Sequence, residues 1–303
     1  VKPPKEQQCC CEVARTTHSA YWWAFAHSCK AVVNDGVSTH FSDESFDKNM
    51  TNKHIAMWSC PRSRSTAITR AFEQLDECVV YDEPFYSAYL AIKGQDNYPP
   101  IQPEELSKYK DTDYNAIIQK ITGELPNGAS FSFQKHQSKH ILPEFGRDWI
   151  EQLNNLFLIR NPKETIFSYW KANQFQGELN MEKLGLLQHY NLFQEIKNLT
   201  QKTPLIIDAN DLVLSPKNYL NLICTNFEVD FSEKMLTWEA NPSKTALSWT
   251  KETPYYHWYS NVLNSSNFTY QKTEINFPEE LTPLLELCTP IYEELFRQRA
   301  VAN

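Results

Sequence analysis

The stretch richest in chemistry in this 303-residue chain is Trp58-Ser59-Cys60-Pro61-Arg62-Ser63-Arg64-Ser65-Thr66. An apolar run, Ile55 to Trp58, gives way to a polar turn, and a helical pattern from Ser65 to Leu75 follows it. The first turn of a helix leaves its N–H groups unbonded, and with the helix dipole they attract an anion. Ser63, Ser65 and Thr66 add hydroxyl donors and Arg62 and Arg64 add charge, while Pro61 fixes the turn without an N–H of its own. The plainer alternative is a capped helix with surface arginines, since Ser and Thr are common caps. The preceding strand and the two arginines favour an anion site. The Gly-x4-Gly-Lys-Ser/Thr spacing of nucleotide-triphosphate loops is absent.

A second basic position follows another apolar run. Leu156 to Ile159 ends at Arg160, then Asn161-Pro162 opens a helical pattern that contains Ser168. A guanidinium grips phosphate bidentately, so an Arg at a strand end is suited to a phosphorylated ligand. Group transfer to a hydroxyl or amine also needs a proton acceptor. Three residues near strand ends qualify: His136 in Phe133-Gln134-Lys135-His136, His140 just beyond, and Glu83 in Tyr81-Asp82-Glu83-Pro84-Phe85-Tyr86. A histidine titrates near neutrality and acts without a large shift. Against this, both histidines suit structural roles, and Asp82 reads as a cap for a helix starting at Pro84. The aromatic segment Tyr255, Tyr256, His257, Trp258 and Tyr259 would wall a pocket for a small organic acceptor.

These motifs resemble the sulfotransferases that use 3′-phosphoadenosine 5′-phosphosulfate (PAPS). That family carries a strand, a Pro-Lys/Arg-Ser-x-Ser/Thr-Thr turn and a helix, then a later strand-end Arg with a Ser eight residues on. The resemblance implies that Arg62, Ser63, Arg64, Ser65 and Thr66 bind the 5′-phosphosulfate, with Arg62 also catalytic at the bridging oxygen. It implies that Arg160 and Ser168 hold the 3′-phosphate. It also extends to a bacterial and plant subgroup through Pro204 to Leu212, Met235 to Trp238, Lys244, Trp249, Trp258-Tyr259 and Ser265 to Phe268, covering roughly residues 53 to 299. Lys244 and Trp249 become donor contacts by this likeness, although Ala246 to Ser248 stand where the subgroup keeps a Gly, and a Trp cluster is as readily core. The base stays open among His136, His140 and Glu83. PAPS would be the co-substrate, adenosine 3′,5′-bisphosphate the product, and no metal would be required. Sulfotransferases of cyanobacterial toxin pathways, some acting on guanidinium alkaloids, belong to the same broad group.

The elements that must position these residues are short apolar runs alternating with longer helical patterns, the mark of βαβ units closing a parallel sheet. Strands are expected at Ile55 to Trp58, Cys78 to Tyr81, Phe131 to Lys135, Leu156 to Ile159 and Leu205 to Ile207. Helices are expected at Ser65 to Leu75, Pro84 to Ala91, Glu104 to Thr122, Pro162 to Asn173, Met181 to Thr200, Pro216 to Phe227 and Pro278 to Arg299. The fold class is therefore α/β with a central parallel sheet of about five strands, and the family likeness makes it a three-layer P-loop-type fold. Ligands of open α/β sheets bind at the carboxyl ends of the strands, where all these motifs fall.

Composition narrows the alternatives. A formal charge of −8 opposes a nucleic-acid surface and faintly favours a cationic or neutral acceptor over a polyanionic glycan. Of the eight cysteines, Cys60, Cys78, Cys224 and Cys288 are scattered without metal or redox spacing, which suits a reducing, cytoplasmic setting. No apolar run reaches the roughly 18 residues of a membrane anchor and no signal-peptide pattern opens the chain. Residues 1 to 49 differ in texture from the rest, and the expectation is that Met50 is the initiator, with an N-terminal lid as the competing reading. Residues 50 to 303 form the expected catalytic domain. A P-loop kinase or a nucleotide-binding protein of the same fold is the alternative function; it would need a metal-holding carboxylate and a loop lysine.

Overall fold

The computed structural model describes residues 54–94, 111–126, 128–172, 178–251, 253, 256–269 and 275–302. The expected N-terminal extension, Tyr255 and the first half of the helix expected from Glu104 lie outside them. Five strands form one sheet: β1 (His54–Ser59), β2 (Cys78–Asp82), β3 (Phe131–Gln137), β4 (Asn154–Ile159) and β5 (Leu205–Asp208). All pairings are parallel and the order is β2-β3-β1-β4-β5. Every residue of β1 is buried, as a central parallel strand covered on both faces requires.

Alternation along the strands sorts their side chains into two cores. Ile55 and Met57 join one cluster with Ile68 and Phe72 of helix α1 (Ser65–Phe72), and with Leu220 and Ile223. Ala56 and Trp58 join the other, with Phe85, Ile121, Trp149 and Phe193. Helices thus cover both faces, giving three layers. The other helices among the described residues are α2 (Tyr86–Lys93), α3 (Tyr114–Thr122), α4 (Pro162–Ala172), α5 (Met181–Leu184), α6 (Leu186–Thr200), α7 (Ala209–Leu214), α8 (Pro216–Asn226), α9 (Tyr256–Leu263) and α10 (Thr282–Arg297). No described helix is long and apolar enough to cross a membrane. Cys60, Cys78, Cys224 and Cys288 carry free thiols.

All five strands match the expected runs, but each runs on at one end or both. Hydrophobic patterning stops at the first polar residue, whereas the β1, β2, β3 and β5 ladders carry Ser59, Asp82, Gln137 and Asp208 to their carboxyl ends. The single helix expected over Met181 to Thr200 is two, α5 and α6, divided at Gly185 with φ 70°. A side chain there would sit in the disfavoured left-handed region, and its Cβ would lie 3.1 Å from Lys139 Cβ. Among the described residues, α3 starts at Tyr114, not upstream, because the Asp113 carboxylate accepts from the N–H groups of Asn115 and Ala116 at 2.9 and 3.1 Å. Helices α7 and α9 were not anticipated.

Candidate active site

The turn between β1 and α1 is held by unusual backbone. Arg62 and Arg64 both adopt left-handed φ, 64° and 68°, with Ser63 between them. Such alternation curls successive N–H groups into an anion-binding nest, and each non-glycine residue so placed costs roughly 1 kcal/mol or more. The Ser63 side chain is buried and its hydroxyl donates to the Cys60 carbonyl at 2.7 Å, so it shapes the turn and stands outside the cleft lining.

Around this turn the two sequence motifs meet. Arg62 Nε donates to Ser168 Oγ at 3.0 Å and Arg62 Nη1 to the Trp258 carbonyl at 2.9 Å. Arg160 Nη1 donates to the Arg62 carbonyl at 2.7 Å, tying the end of β4 to the turn after β1. The charges are unbalanced. Glu164 serves Arg160 at 2.8 Å and lies 3.8 Å from Arg64, while among the described residues no carboxylate pairs with Arg62. Burial lowers the pKa of Arg62, and it pulls Arg160 down to about 10, helped by the like charge of Arg64 and opposed by Glu164. Both stay cationic at neutral pH, in a site short of negative charge.

A second cluster stands at the ends of β2 and β3. Glu83, left-handed at φ 45° and 2% exposed, follows β2 directly. Its Oε1 accepts from Lys135 Nζ at 2.6 Å, Gln137 Nε2 at 2.8 Å and the Tyr259 hydroxyl at 2.8 Å. Its Oε2 lies 4.0 Å from His140 Nδ1. Lys135 also meets Asp82 Oδ1 at 3.0 Å and Thr66 Oγ1 at 3.3 Å, so it joins this cluster to the anion turn. Burial alone would lower the Lys135 pKa, but Asp82 and Glu83 more than offset it and the pKa rises. Burial, reinforced by the same two carboxylates, pushes the Tyr259 phenol well above its ordinary value, so it remains a donor.

One cleft of about 1310 Å³ joins the clusters. Arg62, Arg64, Ser65, Thr66, Glu83, His140, Arg160, Ser168 and Trp249 all line it. His136 does not. Its register partner on β1 is Trp58, and its ring stacks on that indole at 4.6 Å within the core shared by Phe85 and Trp149. Neighbouring residues on a strand face opposite ways, so Lys135 reaches the cleft and His136 faces the core. Lys244 is exposed and outside the cleft wall. Trp249 lies beside the second cluster, donating to Asp82 Oδ2 at 3.0 Å, and not at the arginines. Asp82 is therefore an ion-pair partner, where capping was expected. Among the described residues no three or more His, Cys, Asp or Glu side chains are placed to hold a metal ion.

Sequence reasoning did not single out Lys135, Gln137, Tyr89 or Lys139 as site residues, although all line the cleft. Lys135 stood in the strand-end motif, and strict alternation from buried Phe133 would have placed it on the α1 side.

The fold is a parallel α/β domain with an arginine-rich turn after its central strand, and comparison with known proteins gives the family. A family model described as a sulfotransferase domain matches residues 53–300, and the chain belongs to that family. It is 32% identical over 242 residues to the branched-chain-amino-acid aminotransferase-like protein 2 of Arabidopsis thaliana, a match covering 80% of this chain and 41% of that protein. The corresponding protein 1 of the same plant is 29% identical over equal coverage. The chain thus spans about two-fifths of the length of these curated relatives. Among solved structures, a sulfotransferase from Alicyclobacillus acidocaldarius aligns with TM-score 0.47 at 10% identity, over 82% of this chain and 96% of that one.

Proposed function

We propose that this domain transfers a sulfuryl group from PAPS to a hydroxyl or amine of a small-molecule acceptor. The observation carrying this reading is the meeting of Arg62, Arg160 and Ser168 at one anion turn with too few carboxylates to neutralise it. The 5′-phosphosulfate would sit against the N–H groups and hydroxyls of Ser65 and Thr66 with Arg62 beside them; the 3′-phosphate would engage Arg160 and Ser168. Arg64 adds charge to the same mouth.

His140 is the proton acceptor in this reading. Three donors occupy Glu83 Oε1, whereas Oε2 lies 4.0 Å from His140 Nδ1, a placement from which the carboxylate orients the imidazole. The acceptor oxygen or nitrogen attacks sulfur, the bond from sulfur to the bridging oxygen breaks, the proton passes to His140, and adenosine 3′,5′-bisphosphate leaves. Lys135, touching both Thr66 and Glu83, sets the spacing between the two halves and adds positive charge where the leaving oxygen gains electrons.

Calorimetric titration with adenosine 3′,5′-bisphosphate, against AMP and Mg²⁺-ATP, tests the reading. Binding that depends on the 3′-phosphate and weakens roughly ten- to hundredfold in Arg160→Ala is expected, the size of a lost charged hydrogen-bond pair. Preference for Mg²⁺-ATP would favour the kinase alternative and overturn the proposal.

A further inference from the structure

The end of the cleft beyond Glu83 and His140 carries cations of its own. Lys93, Lys139 and Lys183 line it, together with Tyr86, Tyr89 and Glu182. Lys93 meets Glu182 at 3.9 Å near the exposed rim, and Lys183 Nζ donates to the Glu178 carbonyl. Lys139 is differently placed. Its ammonium donates to the Lys183 carbonyl at 3.3 Å and lies 5.9 Å from the centre of the Tyr89 ring, and among the described residues no carboxylate oxygen comes within 4 Å of it. The Tyr89 ring is 4.8 Å from that of His140, which ties this ammonium to the proposed proton acceptor.

We infer that the acceptor carries an oxyanion that pairs with Lys139 while its hydroxyl or amine reaches the Glu83–His140 pair. The inference rests on the sulfuryl-transfer reading and names the substrate class of that site. A half-buried cation whose hydrogen-bond partner is a carbonyl gains from an anionic ligand, and few side chains near it compete for the role. Independently, burial pulls the Lys139 pKa down to about 8, with Glu83, Cys60 and Glu182 opposing and Lys183 adding to the fall. The group is thus a cation at neutral pH, held in surroundings that do not favour its charge. Tyr89 beside it and Tyr86 against His140 supply flat walls, so the anionic group belongs on an aromatic or similarly flat body. An anionic acceptor departs from the faint preference for a cationic or neutral one drawn from the net charge of −8.

The test uses four phenols that differ in one substituent: 4-hydroxyphenylacetate, 4-hydroxybenzylphosphonate, 4-hydroxyphenylacetamide and tyramine. Each is titrated calorimetrically into the full chain, with and without adenosine 3′,5′-bisphosphate. The anionic pair is expected to bind about tenfold or more tightly than the neutral and cationic pair, a typical effect for one partly buried charge pair. The two anionic probes distinguish carboxylate from phosphate-type ligands. Lys139→Gln should erase the preference and Lys139→Arg should keep it, with affinity for the bisphosphate unchanged in both. Equal or better binding of the amide or amine, failure of all four probes, or a preference surviving in Lys139→Gln overturns the inference. Loss of bisphosphate affinity in Lys139→Gln also overturns it, by moving Lys139 to the donor. The wild-type ranking requires no variant to fold. Failure of the bisphosphate to bind wild type is a separate result that sinks the donor reading and leaves the ranking readable.

Discussion

At the scale of single residues, four positions separate a candidate base from a core residue. His136 and His140 were equivalent as letters; the pleat sends the first against Trp58, and the short helical turn after β3 brings the second to the cleft. His140→Gln should lower kcat by about 10²- to 10⁴-fold with donor affinity unchanged, the range for a lost proton acceptor. By contrast, His136→Phe keeps the stack on Trp58 but leaves Gln134 Oε1 without its partner at 3.1 Å. It should cost about 1 to 2 kcal/mol in chemical denaturation while the folded enzyme keeps its turnover. If turnover collapses in the second variant and survives in the first, the assignment of roles is wrong.

At the scale of elements, the join between α5 and α6 supports the end of the cleft lined by Lys139. Gly185→Ala would place a side chain at φ 70° and 3.1 Å from Lys139 Cβ. A loss of about 1 to 2 kcal/mol is expected from the backbone alone, read as a lower urea midpoint with an unchanged slope. The same push on Lys139 should weaken 4-hydroxyphenylacetate more than 4-hydroxyphenylacetamide. The strands were legible because each is a short apolar run between polar turns, and the anion turn was legible because its residues are adjacent in sequence. The rest was not, for physical reasons. Helix α9 carries Tyr259 to Glu83 from 176 positions away, a contact no local pattern encodes. Lys139 and Lys135 acquire meaning only from what surrounds them, and likeness to a motif does not say which way the loop carrying the exposed Lys244 faces.

At the scale of the whole molecule, one buried histidine couples folding to acidity. His189 is fully buried on α6, its Nδ1 2.7 Å from Ser138 Oγ, and burial pulls its pKa from 6.5 to about 3. Between those values the unfolded chain binds a proton that the native state refuses. Stability from this group is therefore complete above pH 6.5 and declines as pH falls toward 3, by about 2 kcal/mol at pH 5. Urea midpoints at pH 7.5 and 5.0 should differ less in His189→Gln than in wild type, whatever the variant's own stability; an equal difference would remove His189 as the cause.

The strand order carries a further consequence. Arg62, Arg64 and Arg160 come from the turns after β1 and β4, whereas Glu83, Lys139 and His140 come from those after β2 and β3 and Lys135 from β3 itself, on the other flank of the central strand. Under the proposed sulfuryl transfer, the first flank holds the donor and the second the acceptor, so mutations on the second leave the framework of the first in place. A library confined to positions 83–93 and 137–140 should yield altered acceptor choice without altered donor affinity.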